Sequence, residues 1–100
     1  MQNDTQAFDE IGMRKASYCR YVDTKLWEEF RELFADAPDI RFIDSDGNTI
    51  HAFTSVDEFV TKSADFLDGA RTIHQVHNAE MDRVAEDRVN AIWSILSFCL

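Results

Sequence analysis

The spacing of apolar residues changes once along this chain, and that change limits the fold more than any other feature. Before Gly69 they recur at helical intervals. From Arg71 to Val84 the period shortens to about two, and Val89 to Leu100 is rich in β-branched and aromatic residues. Ala85-Glu86-Asp87-Arg88 between them is a short polar turn. Two long strands joined so tightly pair antiparallel.

The first part of the chain reads as helices with a small hairpin between them. Phe8, Ile11, Cys19 and Val22 form one stripe over Thr5 to Val22, and Asp4 or Thr5 can cap its start. The register breaks at Asp23-Thr24. Leu26, Trp27, Phe30, Leu33 and Phe34 then make a second stripe, which Pro38 cannot continue. Ile40 to Ile43, the turn formers Asp44 to Asn48, and Thr49 to Phe53 predict strand, turn and strand. Ser55-Val56-Asp57-Glu58 is a capping box for a third helix, and Gly69 is a stop signal. The order is α-α-β-β-α-β-β. Helices and strands are segregated, which makes the fold class α+β: a curved antiparallel sheet with helices packed on one face.

One hundred residues allow one domain, 1–100. Net charge −9 without a basic cluster argues against nucleic acid and against anionic membrane surfaces. No apolar run is long enough for a membrane span, and the polar start from Met1 to Glu10 lacks the pattern of a secretory signal. Cys19 and Cys99 then read as reduced thiols in a cytoplasmic protein. Metal-binding motifs, phosphate loops and nucleophile elbows are absent, so the expectation is no metal and no cofactor.

Asp23 and His74 are polar groups in apolar surroundings. Asp23 can cap the second helix, or it can point into the interior. His74 can be a surface strand histidine or a pocket residue. Strict alternation puts His74, Val76, Asn78 and Glu80 on one face, and a bulge near Asn78 would reset that parity. Cys19, Trp27 and Trp93 read as core, and His51 as exposed. Tyr18 and Tyr21 flank the first stripe and can turn a hydroxyl into a cavity.

Two segments carry a resemblance. Tyr21-Val22-Asp23-Thr24-Lys25-Leu26-Trp27 resembles the aromatic-x-Asp-x-x-x-Trp signature of SnoaL-like proteins, and Thr72-Ile73-His74-Gln75-Val76-His77-Asn78 resembles their T-x-H-x-x-x-N segment. Glu86-Asp87-Arg88-Val89-Asn90-Ala91 is similar to the family's turn into the next strand. The family belongs to the nuclear transport factor 2-like superfamily, with scytalone dehydratase, ketosteroid isomerase and lindane dehydrochlorinase. The resemblance covers Asp9 to Leu100. It implies a cone with helices on the concave side of the sheet, and two further strands that would make this chain incomplete at its C-terminus.

It also implies a catalytic dyad of Asp23 and His74. The expected activity is cofactor-independent proton abstraction with elimination or isomerisation on an apolar cyclic small molecule, by a lyase or an isomerase. Tyr18, Val22, Phe59 and Asn78 are the expected substrate-binding wall. Val22 stands where scytalone dehydratase has a tyrosine. His77 and His51 match a second catalytic histidine by residue type only. The alternative is a non-catalytic module of the same fold that binds a small ligand or a protein partner. An open sheet edge predicts a homo-oligomer, dimer or trimer.

Overall fold

A computed structural model of the chain describes residues 3–100. Helix α1 runs from Asp4 to Thr24. Its cap is Asn3, not Asp4 or Thr5. The Asn3 side chain accepts from the Gln6 amide at 2.8 Å, and the Gln6 side chain accepts from the Asn3 amide at 3.2 Å. That reciprocal pair satisfies two free donors of the first turn. The helix also continues past Val22, so Asp23 sits in its last turn instead of capping the next helix. Lys25 ends α1 in the left-handed conformation, φ 58°.

Helix α2 is only Trp27–Arg31, shorter than the stripe to Phe34 predicts. Its cap residue Leu26 offers no side-chain acceptor. The Leu33 and Phe34 amides donate instead to the Phe30 and Arg31 carbonyls, both at 3.1 Å, in tight turns. Packing decides this: the turn brings the Phe34 ring against Tyr18, Phe30 and Phe59.

Strands β1 (Ile40–Ile43) and β2 (Thr49–Phe53) form the expected hairpin, pairing Ile40 with Phe53. Helix α3 spans Val56–Phe66, and the Ser55 hydroxyl accepts from the Glu58 amide at 3.3 Å. The segment after α3 turns at Gly69, φ 76°. A Cβ is strained there, so Gly69→Ala should cost about 1 kcal/mol, read from the midpoint of urea unfolding. An unchanged midpoint would contradict this.

The core lies between α1, α2 and α3. Phe30 is 1% exposed, and Val22 and Phe59 are buried beside it. Around Phe30 stand Tyr18, Trp27, Phe34 and Phe59, with ring centroids 4.9–5.8 Å away. Most of these pairs meet edge to face, the arrangement favoured by ring quadrupoles.

Strands β3 (Thr72–Ala85) and β4 (Arg88–Cys99) form the long antiparallel hairpin. The four strands make two two-stranded sheets, β1-β2 and β3-β4, where the sequence suggested one curved sheet. Periodicity finds strands but says nothing about which hairpins are neighbours. The bulge at Asn78 is present: φ is 56°, and the register shifts between His77 and Glu80. Before it, Thr72, His74 and Val76 are the less exposed residues; after it, Met81 and Arg83 are. Asn78 and Glu80 are exposed, so the strict alternation fails at the bulge. Helix α1 packs over β3. The Arg83 guanidinium joins the two at the far end by donating to Asp4 at 2.6 Å.

Candidate active site

Asp23 and His74 meet. The carboxylate ends α1 and the imidazole stands on the third residue of β3, where α1 crosses that strand. Their side chains are 20% and 18% exposed. His74 Nδ1 lies 2.6 Å from Asp23 Oδ1. The His74 backbone amide donates to Oδ2 at 2.9 Å, and the Thr72 hydroxyl donates to Oδ1 at 2.9 Å.

A carboxylate at a helix C-terminus faces the negative end of the macrodipole, and α1 has no basic residue in its last turn. Donors from β3 compensate. Burial pushes the Asp23 carboxyl up, but the His74 ring, the His74 amide and the Thr72 hydroxyl outweigh it and hold the group below its ordinary 3.8. Asp23 is therefore ionised near neutral pH and can only accept. It follows that His74 Nδ1 carries a proton, and in the neutral ring the lone pair then lies on Nε2.

A depressed carboxyl gives a definite sign for stability against pH. Its contribution is complete above the unfolded value and is lost as pH falls through the lower folded one. In urea titrations the gap between wild type and Asp23→Asn should close as pH falls below the ordinary 3.8. A gap that persists undiminished well below that value would contradict the assignment.

The dyad opens on a groove of about 430 Å³, lined by Ala16, Cys19 and Arg20 from α1 and by Ile73, Gln75 and Val76 from β3. The four expected wall residues lie elsewhere. Val22 and Phe59 are in the aromatic core, and Tyr18 packs against it. Asn78 is exposed at the bulge. His51 and His77 are exposed and make no hydrogen bond to the dyad, and Cys19 is buried as expected. Thr72 was given no role by the sequence reasoning. Its signal was the T-x-H spacing, since residues two apart on a strand share a face and both can reach one carboxylate.

A SnoaL-like domain profile matches residues 4–100. The chain belongs to the SnoaL-like family. This SnoaL-like chain is 29% identical over 91 residues to "Probable cyclase FGR4" of Gibberella zeae, covering 85% of this chain and 61% of that protein. It thus spans about three-fifths of the curated relative's length. Two solved structures share its fold. One is titled "Putative Scytalone Dehydratase", from Novosphingobium aromaticivorans: TM-score 0.79, 20% identity, 98% of this chain and 64% of that one. The other is the β subunit of the benzoate 1,2-dioxygenase from Burkholderia mallei: TM-score 0.78, 12% identity, 92% of this chain and 67% of that one.

Among the described residues no three His, Cys, Asp or Glu side chains gather as a metal site would need. No described helix is long and apolar enough to cross a membrane.

Proposed function

We propose that this SnoaL-like chain abstracts a proton from an apolar cyclic small molecule and completes an elimination or an isomerisation. His74 is the general base and then the acid; Asp23 orients it. One observation carries the reading: the 2.6 Å contact between Nδ1 and the carboxylate, which leaves the Nε2 lone pair to act as base. Asp23 also stabilises the imidazolium that forms, and limited solvent access strengthens the pairing. The name of the Gibberella zeae relative adds ring closure to the reactions such a dyad can serve, since cyclisation also moves protons to and from carbon. Support from the fold neighbour named as a scytalone dehydratase is general, because at 20% identity it concerns the fold.

Nitrogen NMR of the His74 ring, in wild type and in Asp23→Asn, tests the pairing. The expected result is a proton on Nδ1 in wild type and a redistribution towards Nε2 in the variant, because the amide no longer demands a donor there. Identical ring spectra would remove the dyad. A non-catalytic module is the second reading. It is favoured by one observation, that a fold neighbour is a dioxygenase subunit. A protein with the Nδ1 proton in place but no proton exchange on any cyclic ketone or phenol offered would support it.

A further inference from the structure

Strand β3 pairs with β4 along one edge only. The Leu100 amide donates to the Arg71 carbonyl at 2.7 Å, so Arg71, Ile73 and Gln75 turn their backbone groups towards β4. Neighbours in an antiparallel ladder alternate, so Thr72, His74 and Val76 turn theirs to the free edge. The His74 amide accordingly donates to Asp23 and not to β4. Val76 is next along that edge. Its amide takes no part in the ladder and meets no other acceptor among the described residues. Val76 also lines the groove beside Asp23 and His74.

Arg20 lines the same groove from the helix. It shares one side of α1 with Ala16 and Asp23, at helical spacing. It is exposed, and its guanidinium makes no ion pair or hydrogen bond with the described residues. Arg14, Arg31, Arg41 and Arg83 each hold a carboxylate of the chain itself. In a chain of net charge −9 carboxylates are abundant, and Arg20 takes none. Helix α1 and strand β3 are tied near both ends, Asp4 to Arg83 and Asp23 to His74, so they run antiparallel. At about 1.5 Å per helical residue and about 3.3 Å per strand residue, the two stretches cover the same ~30 Å. Three residues back from Asp23 is then about as far as one or two residues on from His74. Arg20 stands level with Gln75 and Val76. The free edge thus offers two successive amides: Asp23 fills the first, and the second has a guanidinium beside it and no carboxylate.

We infer that the groove binds the carboxylate of a small cyclic acid, with its oxygens on the Arg20 guanidinium and the Val76 amide. A planar guanidinium matches a carboxylate better than any other side chain does, and charge-assisted hydrogen bonds are the strong ones. Ala16, Cys19 and Ile73 give the ring an apolar lining. The Val76 amide lies two residues from His74, about 6–7 Å along the strand, so a ring attached to the bound carboxylate reaches the imidazole. This last point rests on the base role proposed for His74. The anion site fixes the ring, and His74 moves a proton of that ring.

The probes are cyclohexanecarboxylate and cyclohexanecarboxamide, the same ring with and without the charge. In calorimetry at neutral pH, wild type should bind the acid roughly tenfold or more tighter than the amide, as expected for a charge-assisted hydrogen bond. Added salt should weaken that preference. Arg20→Gln should lose it. Lys62→Gln, which removes the same charge from α3, should keep it. In wild type the acid should also shift the Val76 amide resonance. Equal affinities in wild type, a preference that survives in Arg20→Gln, or an unmoved Val76 amide would overturn the assignment. The two readings fail separately. If Asp23→Asn leaves the His74 ring spectrum unchanged while the acid still prefers wild type to Arg20→Gln, the base role falls and the anion site stands. If the ring spectrum changes as expected and the acid binds no better than the amide, the anion site falls alone.

Discussion

Replacing His74 by Ala should lower proton abstraction by about 10²–10⁴-fold, the usual worth of a positioned general base. The rate is read as deuterium uptake from D₂O into a cyclic ketone substrate. Asp23→Asn should lose a similar amount for a different reason. The new amide keeps an oxygen, but its NH₂ can donate to Nδ1, and the imidazole then turns its only lone pair away from the substrate. Thr72→Val should cost less, because it removes one of three donors to Asp23 and leaves the His74 contact in place. Uptake near the wild-type rate in both His74→Ala and Asp23→Asn, with far-ultraviolet dichroism unchanged, would sink the mechanism.

Phe30→Ala should cost about 3–5 kcal/mol of stability. The ring is 1% exposed and meets four aromatic neighbours, so its loss removes both transfer energy and the contacts of every ring around it. Relaxation cannot close the gap easily, because those neighbours come from α1, α2, α3 and the turn after α2. A domain of this size has about 5–15 kcal/mol in all, so the variant should lie close to the folding threshold. Phe66→Ala is the contrast. That ring is 86% exposed, and its removal should change stability by no more than about 0.5 kcal/mol. Equal urea midpoints for the two variants would show that the core is not centred on Phe30.

The element order was legible in the sequence because each change of period falls at a turn signal: Pro38, the Asp44–Asn48 cluster, Ser55 and Gly69. The site pair was legible through two short motifs that share no local contact, 51 residues apart. Three details were not. Asn3 outcompeted Asp4 and Thr5 as a cap because Gln6 could answer it, a reciprocal contact that single-residue preference ignores. Helix α2 stopped early because Phe34 gained more from the aromatic core than from another helical turn. The expected wall residues failed to line the groove because motif position fixes the backbone, whereas side-chain direction depends on which element packs alongside.

Val22 and Asp23 are neighbours in the chain with opposite surroundings. Val22 is packed into the aromatic core, and Asp23 holds the imidazole. One peptide bond thus joins the best-buried part of the molecule to its proposed reactive group. Substitutions around Phe30 should therefore be felt as misaimed chemistry before they are felt as unfolding. In a survey of random variants, the positions that silence turnover while leaving the protein soluble should map to the ring cluster as well as to the groove. A chain built this way can drift freely on its outer strand surface, but its aromatic centre is constrained twice, once by folding and once by aim.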